Sequence, residues 1–153
     1  MLVDVPREQR RLCHRALAVY LVAQAFYMLM LAPTVLWGDD ARFQRMAYLL
    51  DLGVQRLSDH PLWIALAHPF AHLPGLEPAY GTNLFTSLWG ALTVALAYVV
   101  LRRWTGTSWA AVGGAGSLLV SHTFWTHAVR TEVYSLNLAQ LAERKEESFH
   151  QRQ

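Results

Sequence analysis

Charge is scarce in this sequence. Only 16% of its 153 residues are Asp, Glu, Lys or Arg, against about 25% in an average soluble domain, while 54% are hydrophobic. Cysteine is nearly absent: Cys13 alone permits neither an intramolecular disulfide nor a cysteine-based zinc site. No charge of one sign dominates either. The net charge is +2 with histidine neutral, and the basic residues are dispersed, which argues against a surface that tracks nucleic-acid phosphates. Internal repeats and low-complexity tracts are also missing, and the length sets one domain as the upper bound.

What the chain does have is long apolar runs. Residues 16–36 (ALAVYLVAQAFYMLMLAPTVL) carry no charge, and about 20 residues of helix cross a 30 Å hydrocarbon core. The run exceeds a typical signal core of about 7–15 residues, and no small-x-small cleavage pattern follows it, so it reads as a retained anchor. Residues 84–101 are equally uncharged and are stopped by Arg102 and Arg103. Residues 110–129 form a third, weaker run with Gly113, Gly114 and Gly116, small residues that suit close helix–helix approach in lipid. The expected fold class is therefore all-α: a polytopic transmembrane helix bundle with three spans. A fourth apolar run starts at residues 132–138 and is cut short by AERKEESFHQRQ. Residues 1–138 read as the membrane domain and 139–153 as a solvated, disordered tail.

Orientation follows from the arginines. Arg7, Arg10, Arg11 and Arg15 precede the first run, and Arg102 and Arg103 follow the second. The positive-inside rule puts both groups in the cytoplasm of a cell-membrane protein, leaving the loop 37–83 outside. Within that loop, residues 41–57 have Phe43, Met46, Ala47, Leu50 and Val54 at helical spacing. Residues 62–73 are apolar but too short to cross. Amphipathic or interfacial helices are expected there, with little to pack against in so short a chain.

Asp39 and Asp40 stand where the first run ends, and Glu132 stands just beyond the third. If the spans pack together, these acids converge on the outer side. Such a set could bind a sugar hydroxyl or a hard divalent cation, Mg²⁺ or Mn²⁺. Half-desolvated carboxylates there would also suit general-base work. Acids flanking a span, or capping the next helix, are the structural alternative. His68 and His72, four apart, and His122 and His127 in the third run raise a histidine-ligated haem. Pro69 within the first pair and the five-residue spacing of the second make hydrogen-bonded histidines the default.

Several motifs recur together in one family. They are Ala32-Pro33-Thr34-Val35-Leu36-Trp37-Gly38-Asp39, His60-Pro61-Leu62-Trp63, Leu73-Pro74, and Asn83-Leu84-Phe85-Thr86-Ser87-Leu88 followed by Gly90-Ala91-Leu92-Thr93-Val94. Ser121-His122-Thr123-Phe124-Trp125 then leads into Ala128-Val129-Arg130-Thr131-Glu132-Val133-Tyr134-Ser135-Leu136-Asn137. Across residues 20–140 the chain resembles a bacterial family of unknown-function membrane proteins like the protein O-mannosyltransferases, within the C-type, multi-span glycosyltransferases. The resemblance implies a polyprenyl-phosphate sugar donor and an acceptor on the outer face. It implies Asp39 and Glu132 as catalytic acids, with Asp40 and His60 binding substrate. Arg42 stands where such families carry a further acid. Family members are much longer, so the resemblance also implies an N-terminal piece, inactive alone, that needs further transmembrane helices. A small noncatalytic membrane subunit packing on partner helices is the reading from another class.

Overall fold

The computed structural model describes residues 7–36, 39–52 and 60–131. Glu132, the apolar start at 132–138 and the tail at 139–153 lie outside them. Every regular element among the described residues is a helix: α1 (Arg7–Leu29), α2 (Asp40–Leu49), α3 (Pro61–Ala71), α4 (Pro78–Thr105), α5 (Ser108–Val120) and α6 (His122–Ala128).

Two of these, α1 and α4, are long and apolar enough to cross a bilayer. Their ends differ from the apolar runs. α1 reaches back through the arginines to Arg7 but stops at Leu29, so the last part of the run 16–36 is not helical. The stop has a local cause. Pro33 has no N–H and disfavours helix in the residue before it, and the Ala32 N–H bonds the carbonyl of Val129 (3.0 Å) instead of continuing α1. α4 extends at both ends beyond 84–101. Proline opens it, and Gly106 (φ 70°) closes it by donating its N–H to the Arg102 carbonyl at 3.1 Å, a left-handed cap that favours glycine.

α4 is the hub, in contact with each of the other five helices. α1 runs antiparallel to it. Near one end Gln24 Nε2 donates to Ser87 Oγ (3.0 Å); near the other, Arg15 Nη1 donates to Ser108 Oγ (2.8 Å) beyond the α4–α5 turn. Between these, Ala23 and Tyr27 of α1 meet Ala91, Val94 and Tyr98 of α4 and Ala111 and Ala115 of α5 in the main core. The opposite face of α1 stays uncovered: Leu17, Leu21 and Val22 are all more than half exposed. A contiguous apolar face of that kind is unusual in a soluble monomer and suits contact with lipid.

The third apolar run is helical but not continuous. The chain breaks helix at Ser121 (φ −57°, ψ 122°), separating 13-residue α5 from 7-residue α6. Neither piece alone reaches the length of a span. Of the three glycines, Gly114 makes a close approach: a Cβ there would meet Leu101 Cδ1 at 2.5 Å, while Gly113 and Gly116 face open space. α6 is held to α4 at Gly90, where a Cβ would meet Ala128 Cβ at 2.7 Å.

Helices do occupy the stretch 37–83, with two differences from expectation. α2 ends at Leu49 rather than continuing towards residue 57. Leu50 turns left-handed (φ 52°), and the Asp51 N–H bonds back to the Met46 carbonyl at 2.9 Å, which satisfies an end carbonyl as in a Schellman motif. Second, the loop does have something to pack against. Phe43, Met46 and Ala47 of α2, Trp63, Ile64 and Ala67 of α3, and Phe85 of α4 form a separate core. Trp63 lies edge-on to both Phe43 and Phe85, each at 5.8 Å between ring centroids. At 1.5 Å per residue the 28 residues of α4 measure about 42 Å. That is roughly 12 Å more than the hydrocarbon needs, and α2 and α3 occupy the surplus at its N-terminal end. Gly81 permits the approach of α3, since a Cβ there would fall on the Phe70 carbonyl oxygen.

Candidate functional site

The two aspartates expected at the outer mouth part company. Asp39 is the N-cap of α2, accepts the Phe43 N–H on its backbone carbonyl (3.0 Å), and has an exposed side chain with no capping bond. Asp40 turns inward and is 1% exposed, with Arg130 Nε 4.0 Å from its Oδ1. A positive guanidinium beside Asp40 stands where a chelated cation would need room. The pair therefore does not present two parallel carboxylates to a divalent metal. Among the described residues no three His, Cys, Asp or Glu side chains gather as a metal site.

One turn further along α2, Gln44 is buried in a polar cluster that sequence reasoning missed. Its Nε2 donates to Thr131 Oγ1 (3.0 Å) and reaches Asn83 Oδ1 at 3.3 Å. Thr131 Oγ1 donates to Asn83 Oδ1 (2.7 Å), with Thr82 Oγ1 also within 3.0 Å. Asn83 Nδ2 in turn donates to the Ala32 carbonyl (2.8 Å). That carbonyl only accepts, so the Asn83 amide must present its nitrogen to Ala32 and its oxygen to Gln44 and Thr131. Thr82, Asn83 and Thr131 are fully buried. Buried polar side chains of this kind persist because each finds a partner.

Residues 40 and 44 are one helical turn apart, on one face of α2, and they hold the consecutive residues Arg130 and Thr131. The segment leading into Glu132 is thus fastened to the helix that Asp39 caps. A signal for this existed. Asn83, Arg130 and Thr131 all fall in the recurrent motifs, and Gln44 follows Asp40 by four beside the apolar Phe43 and Ala47. A polar residue at an apolar helix position invites a buried partner.

His60 is half-buried at the N-terminus of α3, its ring centroid 6.0 Å from that of Phe43, so it lies against the first turn of α2. Arg42, in place of a further acid, has its guanidinium over the Phe43 ring at 5.9 Å. The histidine pair in α3 has another task. His68 Nδ1 lies 2.8 Å from the Ala47 carbonyl, and His72 Nε2 lies 3.0 Å from the Tyr48 carbonyl. Carbonyls accept, so these nitrogens carry the protons, and the two rings satisfy end carbonyls of α2. His72 also stacks on Tyr48 at 4.6 Å. His122 and His127 lie in α6, where His122 is exposed and edge-on to Trp125.

Comparison with known proteins matches the sequence to a family. The family described as the protein O-mannosyl-transferase TMEM260 N-terminal domain matches residues 43–142. That stretch includes His60 and Glu132 and begins just past Asp39 and Asp40. The protein O-mannosyl-transferase TMEM260 of Mus musculus is 29% identical over 123 residues, covering 80% of this chain and 17% of the mouse protein. The chain thus spans about a sixth of that relative's length, and the relative is a mouse protein rather than one of the bacterial family that the sequence motifs suggested. No solved structure matches. With about two thirds of its residues in the match, the chain belongs to the family of the protein O-mannosyl-transferase TMEM260 N-terminal domain.

Proposed function

We propose that the chain is the N-terminal segment of a C-type membrane glycosyltransferase. It would transfer a sugar, mannose by analogy with the mouse relative, from a polyprenyl-phosphate donor to an acceptor hydroxyl on the outer face. The observation that carries this reading is the fastening of residues 130–131 to α2 through Asp40 and Gln44. It draws Asp39-Asp40 and the residues 130–131 that precede Glu132 in the sequence to the same end of α4. α1, α4 and the broken pair α5–α6 make three crossings, with the N-terminus in the cytoplasm. Counting about 20 residues of rise back from Arg102 reaches Thr82. The polar cluster therefore lies at the outer hydrocarbon boundary, where a lipid phosphate and a water-borne acceptor can meet.

Asp39 is the reactive carboxylate in this scheme. It takes the proton of the acceptor hydroxyl as that oxygen bonds the anomeric carbon, and the bond from that carbon to the lipid phosphate breaks, the phosphate leaving as the anion. Asp40 holds Arg130 and acts as a positioning residue. Its burial favours this over direct contact with substrate. His60, beside the first turn of α2, is placed to contact the sugar or the phosphate, and Glu132 supplies the second acid. A site of this type needs donor, acceptor and base held together, and the described residues provide one wall of it.

The test joins this chain to the C-terminal remainder of a longer relative and offers membranes a mannosyl polyprenyl phosphate with acceptor peptides. Sugar transfer by the joined protein and none by the 153-residue chain alone is the expected result. Transfer by the chain alone, abolished by Asp39→Asn, would show a complete enzyme and overturn the proposed incompleteness. No transfer by the joined protein, when the intact relative transfers under the same conditions, would overturn the assignment of this segment.

A further inference from the structure

The end of the bundle opposite Asp39 has a concave feature that the proposed glycosyl transfer does not use. Arg7, Arg11 and Arg15 of α1 and Arg102 and Arg103 of α4 line a cleft of about 610 Å³, with Glu8 the one acid among the described lining residues. Residues about ninety positions apart are brought there, and Arg15 also donates a hydrogen bond to Ser108 beyond the α4–α5 turn. Arginines near a membrane surface report orientation, but that rule requires only their number and not a shared concavity.

Two further observations bear on what the cleft takes. Trp104 and Trp109, beside Arg103 and Ser108, are 65% and 87% exposed. Large exposed indoles suit the headgroup level, where one part of the ring is apolar and the N–H is wet. Beyond Arg15 an apolar groove of about 280 Å³ follows, formed with Val19 and Val22 of α1, Val94 of α4, and Val112, Gly116 and Leu119 of α5. Arg11, Arg15, Val19 and Val22 are spaced four, four and three apart, so one face of α1 carries both the basic cleft and the apolar groove. From Arg11 to Val22 the helix rises about 16 Å, close to the half-thickness of a 30 Å core.

We propose that this face binds one anionic glycerophospholipid of the inner leaflet. Its phosphate sits among the guanidinium groups and an acyl chain lies in the groove between α1 and α5. Guanidinium forks make paired, charge-assisted bonds to phosphate oxygens, and the inner leaflet supplies anionic lipid. The apolar groove on the same face of α1 selects a lipid over a free phosphate, since only a lipid fills both parts. The inference rests on the membrane reading of α1 and α4, not on glycosyl transfer or the identity of the base.

The test uses the full 153-residue chain in dodecylmaltoside with a fluorescent phosphatidic acid. Unlabelled phosphatidic acid is expected to displace the probe at concentrations at which phosphatidylcholine and inorganic phosphate do not. Arg11→Gln with Arg102→Gln should weaken binding at least tenfold. Gly116→Phe should do the same by filling the groove, because a side chain there meets nothing within 4 Å of its Cβ. Helicity and melting in dodecylmaltoside alone report folding; should the arginine variant fail to fold, Gly116→Phe decides by itself. Displacement by inorganic phosphate as effective as by phosphatidic acid would reduce the site to a simple anion cleft and overturn the lipid. Displacement by phosphatidylcholine as effective as by phosphatidic acid, or unchanged binding by a folded Gly116→Phe, would overturn it too.

Discussion

Replacing Asn83 by alanine removes the centre of the polar cluster that joins four parts of the chain. Three hydrogen bonds disappear: to the Ala32 carbonyl at 2.8 Å, from Thr131 Oγ1 at 2.7 Å and from Gln44 Nε2 at 3.3 Å. At about 1 kcal/mol net for each, the sum is about 3 kcal/mol. Part is recovered, because Gln44 keeps Thr131 and Thr131 keeps Thr82 as neighbours. Among the described residues the Ala32 carbonyl has no such substitute, so roughly 2 kcal/mol should remain. The assay is reversible unfolding in mixed dodecylmaltoside and dodecyl sulfate micelles, followed by helicity. Thr126→Val is the control: its hydroxyl bonds only carbonyls of its own helix, and its loss should cost under about 0.5 kcal/mol. Combining Asn83→Ala with Thr131→Val should cost less than the sum of the two, since their shared bond is lost once. If Asn83→Ala costs no more than Thr126→Val, or the pair proves additive, the cluster does not fasten residue 131 to α2 and α4.

The close approach of α3 to α4 predicts that Gly81→Leu unseats α3, because its Cβ alone would collide with the Phe70 backbone. Trp63, fully buried in the α2–α3 core, should then become accessible to an aqueous quencher, while a Gly113→Leu variant behaves as wild type. The antiparallel α1–α4 pair and the arginine distribution predict opposite labelling of the two ends of α4. After Cys13→Ser, a Glu77→Cys variant should react with an impermeant thiol reagent in intact cells and a Thr107→Cys variant only after lysis; the reverse pattern would invert the topology.

Much of the helical architecture was legible because bilayer-length apolar composition is a strong, local signal. The runs at 16–36 and 84–101 located α1 and α4, and the short apolar stretch at 62–73 located α3. What escaped was set by contacts between distant residues. Pro33 marks a stop for α1 within the run, but the bond by which Ala32 turns to Val129 is not foretold by any property of residues 16–36. Ser121 interrupts the third run without proline, in a stretch whose composition reads as continuous helix. Leu50 ends α2 in a left-handed conformation that residue type disfavours, so the expected extension towards residue 57 had no visible stop. The acidic pair was visible in the sequence, but which of the two turns inward was not. Whether Asp39 or Asp40 faces inward depends on where Arg130 lies, and that is decided ninety residues away. The outer loop was expected to lack support because the surplus length of α4 at its N-terminal end was not evident from the uncharged run alone.

The split between the two aspartates offers the most direct test of the account. In a longer relative that carries the Trp-Gly-Asp-Asp motif, the residues matching Asp39 and Asp40 are changed singly to asparagine, and transfer rate and thermal stability are measured on the same preparations. The account predicts that Asp39→Asn lowers the rate at least about 100-fold with melting unchanged. Asp40→Asn should lower stability by roughly 1–3 kcal/mol, less than for a fully buried ion pair because Arg130 is partly exposed. Full transfer by a normally folded Asp39→Asn variant would contradict it.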